Sequence, residues 1–97
     1  MSGKMCGGMK ETEAATAEVQ GLIDKVQAEA EKAAGRSFEK YEAKIFATQL
    51  VNGVNYFVKV DTGSSFLHIR LHKSFQGAVT FSSIQDGKAE ADDLAYF

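Results

Sequence analysis

Few side chains in this sequence offer reactive chemistry: one thiol, Cys6; two histidines, His68 and His72; and the adjacent carboxylates Asp92 and Asp93. A nucleophilic thiol needs a positioned base and an oxyanion site on a rigid element. Cys6 has no base beside it and lies in the Gly- and Met-rich run MSGKMCGGMKE. His68 and His72 share one face of an alternating segment, where four residues of strand rise separate them by roughly 13 Å. That is too far to share a metal, and no third ligand joins them. Both read as solvent-facing strand histidines. Asp92 and Asp93 read as a solvated acidic connection. Gly7 and Gly8 precede no strand–turn–helix unit, so they form no phosphate cradle. The sequence therefore predicts no catalytic residue, no metal ligand, no cofactor and no enzyme.

What remains is a scaffold. The 97 residues make one domain of ordinary globular composition, 44% hydrophobic and 25% charged. A net charge of −2 without a basic block gives no grip on nucleic acid or on an anionic membrane. No apolar run approaches the roughly 18 residues of a membrane span, and the first residues lack the apolar stretch of a signal peptide. A lone cysteine excludes an intramolecular disulfide and fits a reducing compartment, so cytoplasmic residence is expected. The lone thiol also allows a Cys6-linked dimer on oxidation, although a monomer is expected at modest concentration. With no proline in the chain, refolding is expected to lack an isomerisation phase of tens of seconds.

Residues 1–11 read as a flexible N-terminal trunk. Over residues 13–34, Val19, Leu22, Ile23, Val26, Ala30 and Ala33 fall at helical spacing on one stripe. Thr12 or Thr16 would cap its start and Gly35 its end. Gly21 costs about 1 kcal/mol against alanine within it. After Gly35 the period becomes two. Tyr41, Ala43, Ile45 and Ala47 alternate with Glu42, Lys44, Phe46 and Thr48. Val54, Tyr56, Val58 and Val60 alternate with Asn55, Phe57, Lys59 and Asp61. Leu67, Ile69 and Leu71 form a third set, and Val79 and Phe81 a fourth. Such segments are antiparallel strands with one covered face. QLVNG at 49–53, TGSS at 62–65 and SFQGA at 74–78 are the hairpin links. Residues 85–93 read as an exposed connection, and Leu94, Tyr96 and Phe97 as a docked C-terminus. The predicted architecture is α+β, a single N-terminal helix packed across a curved antiparallel sheet.

Two links are anomalous. QLVNG carries Leu50 and Val51 at a hairpin tip, and SFQGA carries Phe75. Strand direction puts both at one end of the sheet, with TGSS at the other. Apolar groups at a tip suggest insertion into something.

Gln49-Leu50-Val51-Asn52-Gly53 resembles the Gln-x-Val-x-Gly loop of the cystatins. Asn55-Tyr56-Phe57-Val58-Lys59-Val60 and His68-Ile69-Arg70 resemble strands of the stefin branch. Asp93-Leu94-Ala95-Tyr96-Phe97 resembles the stefin C-terminus, and Met5-Cys6-Gly7 resembles the trunk of the B-type stefins. The resemblance covers about residues 5–97. It implies an intracellular, reversible inhibitor of papain-like cysteine peptidases of the cathepsin L, B, H and S type. A wedge of trunk and two hairpin loops would block the active-site cleft. Carried onto this chain, Met5, Cys6, Gly7 and Gly8 form the trunk contact, turning away from the catalytic thiol at Gly7. Gln49, Leu50, Val51, Asn52 and Gly53 form the first loop, and Ser74, Phe75 and Gln76 the second. The second loop departs from the family, which usually carries Leu-Pro in a loop a few residues longer. Here Phe75 would supply the apolar contact, and a weaker or shifted third contact is expected. The family also exchanges hairpin elements between chains, so a domain-swapped dimer is open to this one. The competing reading is an interaction module on the same fold that has lost inhibition and binds another protein.

Overall fold

The computed structural model describes residues 9–97. Its elements are β1 (Glu13–Ala14), α1 (Ala17–Lys25), α2 (Gln27–Ala34), β2 (Glu42–Val51), β3 (Gly53–Asp61), β4 (Phe66–Lys73) and β5 (Val79–Lys88). The five strands form one antiparallel sheet in the order β1-β2-β3-β4-β5. The α+β architecture is as the alternation predicts.

The helix differs from expectation at two places. Thr16, not Thr12, is the N-cap, its hydroxyl oxygen accepting from the Val19 amide at 3.2 Å. Residues 13–14 instead pair with β2, opposite Phe46 and Ile45. The single helix expected over 13–34 is also interrupted at Val26, whose backbone (φ −111°, ψ 12°) leaves the helical region. Gly35 ends α2 in the left-handed conformation (φ 74°). There the Arg36 amide donates back to the Glu31 carbonyl at 3.2 Å, closing the last turn.

Val19, Leu22, Ile23 and Ala30 from the helices, with Val26 between them, meet Val58 and Val60 of β3 and Leu67, Ile69 and Leu71 of β4 in the main core. The β3 and β4 sets face each other in register, with Val58 opposite Ile69 and Val60 opposite Leu67. Arg36 ties the end of α2 to β5 through both oxygens of Asp86, at 3.0 and 3.1 Å. This pairing is the largest cause that holds the Asp86 carboxyl below its usual range.

β2 corrects the expected alternation. Ala43 pairs with Val60, but Ile45 pairs with Lys59, so Lys44 is an extra residue in the strand. A one-residue bulge exchanges the two faces beyond it. Phe46 therefore joins the helix side and stacks on Tyr56 at 6.2 Å, while Ile45 and Ala47 turn to the far side. The carbonyl of Lys44 is taken up by the Ala15 amide at 3.0 Å.

The far side is covered as well. Met9, Ala47, Phe57 and Leu94 form a second core, with Ile45 and Phe97 against it. β3 is thus buried on both faces. The C-terminal residues dock as expected, although Tyr96 remains 44% exposed. Phe97 meets Phe57 edge-on at 5.7 Å. The Arg70 guanidinium lies over Phe57 and Tyr96 and donates to the Phe97 carbonyl. Lys59, itself buried, donates to the carbonyls of Glu90 and Asp92.

β5 runs to Lys88, so residues 85–88 are strand and not the exposed connection predicted. Gln85 pairs with His68 and Lys88 with Phe66 across a bulge. Gly87 sits in that bulge at φ 71°. His68 overturns a second expectation: it is fully buried, and both its ring nitrogens lack partners among the described residues. Among these residues no helix is long and apolar enough to cross a membrane.

Candidate functional site

The first hairpin folds back over a single residue. Gln49 pairs with Asn55, Leu50 with Val54 and Val51 with Gly53, leaving Asn52 alone at the apex. So tight a reversal needs a left-handed backbone, and Gly53 supplies it at φ 101°. Gly53 is also hemmed in. A Cβ there would stand 2.6 Å from His72 Nε2 and 2.7 Å from the Lys73 carbonyl oxygen. Gly53 is buried, and its Cβ direction points into β4.

The five residues of this loop divide by role. Leu50 is 68% exposed and Val51 41%, so the apolar tip is presented outward. Asn52 is exposed at the apex. Gln49 is buried, and its side-chain oxygen accepts from Asn55 Nδ2 at 3.0 Å. It supports the loop from below.

The second loop follows β4. Val54 pairs with Lys73, so Ser74 emerges beside the first hairpin. Ser74 closes its own loop: its amide donates to the Ala78 carbonyl at 2.8 Å and its hydroxyl oxygen accepts from the Ala78 amide at 3.0 Å. Gly77 completes the turn at φ 94°, donating to the Ser74 carbonyl at 2.9 Å. Ser74 and Gly77 thus fix a compact loop with no proline. Phe75, 68% exposed, stands at its tip with Gln76 exposed beside it. The 62–65 link lies at the other end of the sheet.

Met5, Cys6, Gly7 and Gly8 lie outside the described residues. The trunk comes into view at Met9, and here the expectation of a flexible segment through residue 11 is corrected. Met9 is buried in the second core and forms a bridge with Gln49. The Lys10 amide donates to the Thr48 carbonyl at 2.7 Å. The chain therefore arrives alongside the loop end of β2. Nothing in the polarity of MSGKMCGGMKE distinguished Met9 from Met5, so sequence reasoning missed this anchor.

His72 was also missed. Its Nε2 lies 2.7 Å from the Asn52 carbonyl oxygen at the hairpin apex. Hairpin arithmetic pairs Gln49 with Asn55 once Asn52 is the apex, but the reach of His72 depends on β4 register. Chemically, the edge made by these loops holds apolar tips on closed turns. Among the described residues, no three His, Cys, Asp or Glu side chains gather as metal ligands.

Comparison with known proteins agrees with this geometry. The cystatin domain matches residues 7–88. The chain is 40% identical to mouse (Mus musculus) Cystatin-A over 94 residues, covering 94% of this chain and 97% of that protein. It is 40% identical to Bos taurus Cystatin-B over 97 residues, covering 96% and 99%. To Cystatin-A2 of Dictyostelium discoideum it is 38% identical over 91 residues, covering 94% and 96%. With the domain matched over most of its length and relatives aligned nearly end to end, this chain belongs to the cystatin family, a family of cysteine-protease inhibitors and not of enzymes.

Proposed function

We propose that this chain is a reversible, tight-binding competitive inhibitor of papain-like cysteine peptidases, of the cathepsin L, B, H and S type, acting in the cytoplasm as a monomer. The observation that carries this reading is the shared edge of two apolar tips, Leu50–Val51 and Phe75, each on a turn closed by its own hydrogen bonds. Tips held this way lose little freedom on docking, which favours tight association. A protease–inhibitor interface of roughly 1,600 Å² is enough for very tight binding when it is preorganised.

In this mechanism Leu50, Val51 and Asn52 enter the cleft, Gly53 permits the turn, and Gln49 braces it from beneath. Phe75 makes the second apolar contact, with Ser74 and Gln76 shaping its loop. Met5, Cys6, Gly7 and Gly8 lie along the substrate groove. Gly7 turns the chain away, so that no scissile bond meets the peptidase thiol. The docking of Met9 supports the trunk's part, since it brings residue 9 to the same edge.

The test is a titration of papain with purified, reduced protein, read by a fluorogenic substrate. Stoichiometric and reversible loss of activity is expected, and a variant beginning at Met9 should dissociate faster. A folded protein that leaves papain active at micromolar concentration would overturn the reading in favour of an interaction module for another partner.

A further inference from the structure

Four side chains from four segments lie in one row across the far face of the sheet, immediately below the apex. Met9 bridges to Gln49, Gln49 pairs with Asn55, and Asn55 pairs with His72. The row joins the trunk to β2, β3 and β4. Asn55 holds Gln49 within it by a buried hydrogen bond. At its last position the contact turns upward, because His72 Nε2 lies 2.7 Å from the carbonyl oxygen of Asn52.

We propose that His72 is a positioning residue of the inhibitory edge: it clamps the Asn52 carbonyl and thereby sets where Leu50 and Val51 stand relative to Phe75. This rests on the reading of the edge as an inhibitor's wedge. Asn52 has no partner in the β2–β3 ladder, so that register does not fix its carbonyl. A carbonyl oxygen only accepts, so the Nε2 that meets it carries the proton and donates. His72 is two residues before Ser74, which closes the second loop. One imidazole therefore links the apex of the first loop to the base of the second.

Gly53 makes the clamp possible. A Cβ on that residue would stand 2.6 Å from Nε2 and 2.8 Å from Cε1 of the same ring. The ring thus occupies the space a side chain would fill, and Gly53 and His72 function as a pair. Ordering the loop before encounter removes an entropic cost from binding, so loss of the donor should appear in peptidase affinity.

The experiment compares wild type with His72→Leu, which removes the donor, and His72→Gln, which keeps an N–H at similar reach. Each is measured for papain association and dissociation rates, for thermal unfolding, and for backbone NMR order parameters of the free protein at Val51, Asn52 and Gly53. For His72→Leu, about fivefold weaker binding is expected, with lowered order parameters at those residues and little change in unfolding. His72→Gln should restore most of both. If leucine disturbs the fold, His72→Asn, whose donor is too short to reach Asn52, replaces it in the same comparison. Order parameters and affinity unchanged in the donor-free variant overturn the clamp while inhibition by wild type stands. Equal losses in His72→Leu and His72→Gln also overturn it, since they mark packing and not donation. Wild type that fails to inhibit papain overturns the inhibitor reading, and the proposal with it. The order parameters then still report whether His72 orders the apex.

Discussion

His68 and Lys59 are direct cross-strand partners, and both are buried. The lysine satisfies its ammonium on the carbonyls of Glu90 and Asp92. The histidine has no partner for either ring nitrogen among the described residues. Burial, chiefly, lowers the His68 pKa to about 4, helped by the charges of Lys59 and Lys88, while Asp92 opposes the shift. His68 is therefore folded in as a neutral ring under a strap that its neighbour holds.

Acid should loosen the fold through this residue. Below the ordinary histidine pKa of about 6.5, the unfolded chain binds a proton that the folded chain refuses. The contribution is complete above that pH and is lost as pH falls towards about 4. The shift corresponds to an order of 3 kcal/mol. Urea unfolding at pH 7 and pH 4.5 should show the drop in wild type and a smaller one in His68→Leu. Parallel pH profiles would exclude His68 as its source.

The second core predicts a cost for trimming the trunk's anchor. Met9 is 4% exposed and packs with Ala47, Phe57 and Leu94. Met9→Ala should lower stability by about 2–4 kcal/mol, the range for truncating a buried large side chain. Unfolding by urea measures it. A loss below about 0.5 kcal/mol would show that residue 9 is not held in this core.

Much of this fold is legible because one physical rule dominates each segment. Leu67, Ile69 and Leu71 have a single apolar face, and Gly35 has one reason to follow a helix. The reading falters where two rules compete. Lys44 is an ordinary polar residue by type, yet as the bulge it reverses every residue after it. The 85–88 run is polar and carries Gly87, so its pairing rests on the ladder with β4 and not on its own pattern. His68 looks exposed because it alternates with leucine and isoleucine. The C-terminal segment, distant in sequence, helps to cover that face. At the edge itself, Leu50, Val51 and Phe75 stood out because apolar tips contradict solvation. Gln49 did not, since a buried glutamine and an exposed one are the same letter.

Phe75 should matter for binding and not for folding. It is 68% exposed, on a loop closed by Ser74 and Gly77 without its help. Phe75→Ala should leave the thermal midpoint unchanged and weaken papain inhibition by roughly 5- to 30-fold, the effect of losing an aromatic anchor worth 1–2 kcal/mol. Equal inhibition constants for the two proteins would remove the second loop from the wedge.

Gly53→Glu should damage both properties, unequally. A non-glycine residue at φ 101° is strained by an order of 1–3 kcal/mol. Its Cβ also meets two groups of different pliability. The His72 ring can rotate away, but the Lys73 carbonyl, 2.7 Å from the Cβ position, belongs to the β3–β4 ladder and yields only if the hairpin end shifts. The strain is confined to the apex, far from the main core, so the protein should remain folded with a lower melting temperature. Inhibition should fall far more, because the displaced residues are those that carry Leu50 and Val51, and a carboxylate is added beside them. Circular dichroism with a papain titration separates the two effects. Full inhibition by the folded variant would mean that the first hairpin does not enter the peptidase cleft.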